Sequence, residues 1–338
     1  MGTISGAAVP GGVLAFDAGN SKTDVALVSA DGRVLGTARG GGFEPHVIGA
    51  DAAVAGLEPL VRAAAAAAGL TLGDRPLVQQ ISACLANADL PIEEERLSAA
   101  FERFGWAESV YVTNDTFALL RSGVDEPRGV AVVCGAGINC AGLLPDGRTA
   151  RFPAVGRISG DWGGGQQLAE EAFAAAARAD DGRGPDTALA TALPAHYGVP
   201  SVPALIEALH LGDIPYHRRL EAGPVLFQVA AAGDPIAREV VQHQAEEIVT
   251  MAVVAMRRLD ILDEPTDVIL GGGVLTAGHP LLMETVIRLL NAAAPKAVAR
   301  VIDVPPVVGA ALLGLDHTNA PSDAHLALRS AYAPSPAA

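Results

Sequence analysis

Residues 13–42 read VLAFDAGNSKTDVALVSADGRVLGTARGGG. An apolar run from Val13 to Phe16 ends on Asp17. Small and polar residues follow, and Val25 and Leu27 open a second apolar run. Asp31-Gly32 is a hairpin signal, because both residues tolerate the left-handed backbone that a tight turn needs. Val34-Leu35 resumes as a third strand. The stretch predicts a three-stranded antiparallel unit whose first turn is Gly19-Asn20-Ser21-Lys22. The plan returns at residues 130–152, VAVVCGAGINCAGLLPDGRTARF. Again an apolar strand meets a glycine turn, a second apolar strand and an Asp-Gly-Arg hairpin. Two such units predict a duplicated β-hairpin domain.

Between the echoes the sequence alternates helix and strand. Residues 51–68 are Ala-rich and read as a helix, and QQISACLA reads as a strand. IEEERLSAAFERF, 92–104, carries Glu early and Arg late, as a helix dipole favours. SVYVTND reads as a strand ending at Asp115, with TFALLRSG as the following helix. Residues 166–260 are helix-rich. TDVILGGGV is a strand running into a glycine turn, and HPLLMETVIRLLN and PVVGAALLGL are helices. The segment AEEIVTMAVVAMRRLDIL is apolar almost all round, which predicts burial between layers. From residue 319 the chain is rich in Pro, Ser and Ala, a composition of loose tails.

The chain has 338 residues, half of them hydrophobic and 18% charged, which excludes intrinsic disorder. Lys and Arg number 23 against 38 Asp and Glu, a net charge of -15. Such a surface repels nucleic acid and anionic membranes. A small polyphosphate is still admissible where a metal ion and backbone dipoles neutralise it. Three cysteines, Cys84, Cys134 and Cys140, make no disulfide framework and lack CxxC spacing. Each is expected to be a buried thiol. The N-terminus lacks the basic start of a secretory signal, and no long uninterrupted apolar stretch occurs, so a soluble cytoplasmic protein is expected.

Several short motifs carry chemistry. Asp17 at a strand end, followed by Gly19, Asn20, Ser21, Lys22 and Thr23, offers backbone N–H groups and hydroxyls to phosphate oxygens. Asp17 itself suits a magnesium ion. The spacing is not that of a mononucleotide P-loop, and an ordinary polar turn is the alternative. Asp115, in Thr113-Asn114-Asp115-Thr116, suits a base that accepts the proton of an attacking hydroxyl. A helix N-cap would use the same residue differently. Gly135-Ala136-Gly137 and Gly271-Gly272-Gly273 are further glycine turns. Ser159-Gly160-Asp161-Trp162 precedes a helix, and Gly40-Gly41-Gly42-Phe43-Glu44-Pro45-His46 forms a lip after the first hairpin. Neither HExxH nor GxSxG occurs, which removes zinc proteases and α/β-hydrolases.

The order of these motifs resembles the sugar-kinase/Hsp70/actin superfamily, and within it the N-acetylglucosamine kinases and related activator-type ATPases. FDAGNSKT is similar to that family's FDGGGTKT, NDT to NDA, GAGIN to GTGSN, SGDWGGG to LGDEGSG, and ILGGGV to its adenosine motif. The resemblance spans about residues 12–315. It implies an α/β fold of two actin-like (ribonuclease H-like) lobes with a central cleft. The expected lobes are 12–122, with a C-terminal helix near 318–332 packed back on it, and 123–317, with a helical insert near 166–260. It also implies ATP with Mg2+, an aminosugar acceptor and phosphorylation of a hexosamine 6-hydroxyl. A homodimer is the expected assembly.

Carried over by position, Asp115 is the base and Asp17 the metal-side carboxylate. Residues Gly19 to Thr23 and Gly135, Ala136 and Gly137 hold phosphates, and Gly271, Gly272 and Gly273 line the adenosine site. Glu44, His46, Asn114, Asp115, Asn139 and Asp161 contact the sugar. The departures lie at Ala18 and Asn20 of the first motif, at Trp162 in place of Glu, and at Glu44-Pro45 in the lip. An extra carboxylate and a bulky Trp suit an ammonium better than an acetamide, which places glucosamine ahead of N-acetylglucosamine. The rival expectations are an activator ATPase, which needs exposed thiolates for an iron–sulfur cluster, and a non-catalytic sugar sensor.

Overall fold

The computed structural model describes residues 8–73 and 75–333. The expectation about the first seven residues lies outside them. Strands β1 (Val9–Ala18), β2 (Thr23–Val28) and β3 (Val34–Gly40) form the expected antiparallel meander, with Leu14 opposite Leu27 and Phe16 opposite Val25. From Val13 to Ala18, and throughout β2, every residue is buried. Both faces of this strand pair are covered, so the sequence runs apolar instead of alternating.

A short helix α1 (Pro45–Ile48) continues the lip. The Ala-rich stretch expected as one helix forms two, α2 (Ala50–Ala55) and α3 (Glu58–Ala67). Pro59 fits the first turn of a new helix and would break the interior of a longer one. Strand β4 (Val78–Leu85), helix α4 (Pro91–Phe104), strand β5 (Ala107–Asn114) and helix α5 (Asp115–Gly123) follow. Phe16, Phe101 and Trp106 pack as an aromatic cluster, with the Phe16 and Phe101 ring centres 5.3 Å apart. The sheet order is β3-β2-β1-β4-β5, and β1, β4 and β5 are parallel. Their carboxyl ends therefore bring Asp17, the loop after Leu85, and Asp115 to one edge of the sheet, where α/β sheets bind ligands.

The second hairpin is β6 (Gly129–Cys134), β7 (Ile138–Leu143) and β8 (Thr149–Arg151). The helix-rich part comprises α6 (Gly164–Asp180), α7 (Leu189–Tyr197), α8 (Val202–Leu211), α9 (Ala222–Ala231) and α10 (Pro235–Arg258). Ala245, Ile248, Met251, Ala252 and Met256 of α10 are buried, as its apolar middle predicts. Strand β9 (Thr266–Gly271) leads to α11 (Gly273–Thr276), α12 (Pro280–Ala293), β10 (Ala297–Val301), α13 (Pro306–His317) and α14 (Ser322–Ala331). The second sheet runs β10-β9-β6-β7-β8. Counted from β8 this is the order of the first sheet. Strand β10 is absent from the sequence expectation, because AVARV is short, is broken by Arg300, and is mostly exposed or half-buried. Helix α14 lies within the C-terminal helix near 318–332 that the resemblance implies, where composition alone reads as a loose tail. No described helix is long and apolar enough to cross a membrane.

The chain forms two compact units, and their limits do not follow the expected division at residues 122/123. One holds the chain up to residue 131, residues 141–153 and the chain from 302 onward; the other holds 132–140 and 154–301. Helix α13, expected in the second lobe, belongs to the first unit. A Cβ on Gly309 would stand 1.8 Å from the Ala118 carbonyl of α5, and one on Gly314 would stand 2.3 Å from the Val13 side chain. Only glycine permits that approach. Helix α14 joins it through a polar network. Buried Arg121 donates to both carboxylate oxygens of Asp316, at 2.7 and 3.1 Å. Arg329 of α14 donates to the carbonyls of Arg121, Ser122 and Val124 at the end of α5.

Candidate active site

The first unit concentrates carboxylates at its strand ends. Asp17 is 7% exposed at the end of β1. Burial, reinforced by the charge of Asp115, pushes its carboxyl up to about 7. Asp115 is the first residue of α5. Burial and then the neighbouring Asp89 push it up to about 6. The alternative role for Asp115, as helix cap, falls to Asn114 instead. The Asn114 side chain accepts from the Thr116 N–H at 2.9 Å, and its amide donates to Asp89 Oδ1 at 2.8 Å. Asn114 thus caps the helix and ties Asp89 to it. Asp89 has no motif in the sequence. Its place beside Asp115 follows from the parallel β4–β5 pairing.

Lys22 does not point at the turn. Its Nζ donates to Asp24 Oδ2 at 2.8 Å, and Arg39 donates to both oxygens of the same carboxylate. The turn closes through Gly19 N–H to the Lys22 carbonyl at 2.8 Å. Thr23 is buried, and its hydroxyl has no hydrogen-bond partner in the structure. An orphaned buried donor at the root of the turn fits an anion there. Among the described residues no group of three or more His, Cys, Asp or Glu side chains is arranged to hold a metal. Mg2+ typically keeps waters and takes one or two carboxylates with substrate phosphates. Asp17, a hard oxygen donor held in an anionic surrounding, fits that demand.

The lip splits its two expected sugar contacts. His46 lines a hollow of about 260 Å3 with Asn87, Glu93 and Arg96, and its Nε2 lies 3.6 Å from Glu93 Oε1. Glu44 lines a different hollow of about 180 Å3 with Gly40 to Phe43 and Leu57.

The second unit is equipped with backbone. In the turn after β6 the Gly135 N–H donates to the Gly137 carbonyl at 2.9 Å. Gly164, at φ 85°, lies so close that a Cβ would stand 2.5 Å from Gly137. Gly272, also at φ 85°, lies equally close to the backbone of Cys134. Beside Gly135, Gly137 and Gly273 a Cβ would meet nothing within 4 Å. These three face open space, and the other two weld the turns together. A cavity of about 450 Å3 begins at Ala136 and Gln166 and is walled by Phe173, Val202, Leu205 and Tyr216. Its size and apolar lining suit a small planar ligand.

Three residues singled out in this unit have partners of their own. Asp161 closes its own loop, since its Oδ2 accepts from Gly156 N–H at 2.8 Å and Ser159 Oγ at 2.7 Å. One oxygen of its carboxylate thus shapes the loop. Asn139 turns its side-chain oxygen to the Cys140 N–H at 2.7 Å. Trp162 stacks on His243 of α10 with ring centres 3.8 Å apart, so its bulk is spent against a helix and says nothing about an acetamide. All three cysteines are buried, and burial pushes the Cys134 thiol up to about 12 and raises Cys84 and Cys140 as well.

Residues 14–314 match the family model described as the BadF/BadG/BcrA/BcrD ATPase family. The chain is 25% identical to an N-acetyl-D-glucosamine kinase of Dictyostelium discoideum over 90% of this chain and 97% of that protein. It is 23% identical to an N-acetylmuramic acid/N-acetylglucosamine kinase of Clostridium acetobutylicum, over 78% of this chain and 85% of that one. A solved structure from Chromobacterium violaceum, provisionally assigned as an N-acetylglucosamine kinase, superposes with a TM-score of 0.67. It shares 23% identity and covers 90% of this chain and 98% of its own.

Proposed function

The chain belongs to the BadF/BadG/BcrA/BcrD ATPase family and has the actin-like ATPase fold, and from that premise we propose that it is an ATP-dependent aminosugar kinase. The reaction moves the γ-phosphoryl group of ATP to the 6-hydroxyl of a hexosamine. The observation that carries this reading is the division of tasks at Asn114-Asp115. Asn114 supplies the helix cap, while burial holds the Asp115 carboxyl above the usual carboxylate range despite the pull of the Asp115 and Thr116 N–H groups. A carboxyl pushed up to about 6 is ionised at neutral pH and still basic enough to take a proton.

Asp115 accepts the hydroxyl proton while the oxygen attacks phosphorus, and the bond to ADP breaks. Asp17 would hold the metal, which neutralises phosphate charge when bound. The Gly19–Thr23 turn and the Gly135–Gly137 turn supply N–H groups to phosphates. The second-unit cavity beginning at Ala136, together with Gly271 to Gly273, supplies room for the nucleoside. The buried thiols weigh against an activator ATPase, since a cluster needs accessible thiolates.

D-Glucosamine is the acceptor we favour. The charge of Asp115 raises the Asp17 carboxyl and that of Asp89 raises the Asp115 carboxyl, and an ammonium relieves that repulsion through charge-assisted bonds. Asp89 takes the role expected of Glu44. The second reading is N-acetylglucosamine, which the names of the relatives favour. Steady-state kcat/KM for both sugars separates them. Glucosamine should lead by about tenfold or more, and Asp89→Asn should remove most of that lead, about the worth of one charged hydrogen bond. A clear preference for the acetylated sugar would reject the favoured acceptor and leave the kinase standing.

A further inference from the structure

Asn87, just beyond β4, has no part in the reaction as described. Its φ is 70°, in the left-handed region that strains a side chain. Strain of this kind persists where surrounding contacts impose it, and it gathers at functional sites. The Asn87 amide donates to Asn20 Oδ1 at 2.8 Å and to the Phe43 carbonyl at 3.1 Å. Asn20 belongs to the first phosphate turn and Phe43 to the lip. One side chain therefore bridges the two. The root of the lip is held separately by backbone. Phe43 N–H donates to the Gly19 carbonyl at 2.9 Å, and Gly42 lies against the Asn20 carbonyl where a Cβ would stand 2.1 Å away. Asn87 also walls the hollow shared by His46, Glu93 and Arg96.

We propose that Asn87 is a positioning residue for phosphoryl transfer: its amide fixes the lip to the nucleotide turn, so that acceptor and phosphoryl group are held in register. The inference rests on the aminosugar-kinase reading above. Neither the sequence spacing nor any motif marks Asn87, and a mere loop role would need only a residue tolerant of positive φ.

Two substitutions separate these roles. Asn87→Gly accepts the backbone angle without strain and removes both bonds. Asn87→Asp keeps the size and can accept from Asn20 once that amide turns over, but it cannot donate to the Phe43 carbonyl. In Asn87→Gly the KM for glucosamine and the KM for ATP should each rise about tenfold, the size of a lost hydrogen bond apiece. The thermal midpoint should hold. In Asn87→Asp only the sugar KM should rise. Both variants within about twofold of wild type, or both losing midpoint and every kinetic constant together, would overturn the proposal; twofold is under half a decimal step of affinity. Should the wild type phosphorylate no aminosugar, the kinase reading fails on its own account. The bridge is then decided by a fluescent ADP analogue. Weaker binding to Asn87→Gly alone supports it, and equal binding to all three proteins overturns it.

Discussion

In the first hairpin Arg33 Nε donates to Asp31 Oδ2 at 2.9 Å across Gly32, whose φ is 81°. In the second, Arg148 Nε donates to Asp146 Oδ2 at 2.8 Å across Gly147, whose φ is 85°. The closing backbone bonds match too: Ser29 N–H to the Arg33 carbonyl and Leu144 N–H to the Arg148 carbonyl, both at 3.0 Å. At their other ends the two hairpins part company. The first turn follows a buried carboxylate, Asp17, and keeps polar side chains at Asn20, Ser21 and Thr23. The second follows Cys134 and consists of Gly135, Ala136 and Gly137. One scaffold thus presents ionisable side chains in one unit and bare backbone in the other. Phosphoryl transfer needs both: groups that hold or move a proton and a metal, and N–H dipoles that take phosphate without adding charge.

The comparison breaks most visibly at Asp115. Asp115→Asn should lower turnover about 10²–10⁴-fold, the usual worth of a base, while calorimetry still detects nucleotide and sugar. Turnover near wild type would remove the ionisable half of the account.

The next effect contrasts glycines. Gly164→Ala places a Cβ against Gly137 at a positive φ, so about 2 kcal/mol or more of stability should be lost. Nucleotide affinity should fall with it. Gly19→Ala meets only the Lys22 carbonyl, at 3.6 Å, and should stay within about 1 kcal/mol of wild type. Equal urea midpoints for the two variants would show that backbone approach does not distinguish the turns.

A smaller effect follows from pH. The Asp17 and Asp115 carboxyls are raised from 3.8 to about 7 and about 6. Between those limits the folded protein retains protons that the unfolded chain has released. Stability of the nucleotide-free protein should therefore fall as pH rises from about 4 to 7, by an amount on the order of 1–4 kcal/mol. Asp17→Asn should flatten that fall and raise the midpoint at pH 8. Activity should move the opposite way, rising through pH 6 as Asp115 ionises. A flat stability profile would mean that the carboxylates are solvated.

Much of this was legible in residues 13–42 and 130–152, because hairpins are local and their turn chemistry is written in Asp-Gly pairs. Asp115 was legible because a strand end is a geometric address. The positions of Asp89 and Asn87 were not, since they depend on which strand lies beside β5 and β1, a long-range pairing that leaves no local trace. The partners of Asp161 and Trp162 were hidden for a related reason. A carboxylate in a glycine loop looks free until its own loop's N–H groups are placed on it, and a Trp looks like a pocket wall until the helix carrying His243 arrives. Composition alone hides helix α14 in a Pro- and Ala-rich tail, and only the resemblance gave it, because Arg329 finds its acceptors on α5, far away in the chain.

The most direct test of the account is ATP consumption by the wild-type protein with and without glucosamine, with the product's phosphorylated position read by phosphorus–proton NMR. ATP turnover should depend on the sugar and leave a phosphate on its 6-oxygen. ATP hydrolysis at the same rate in both samples, with the sugar unmodified, would contradict it.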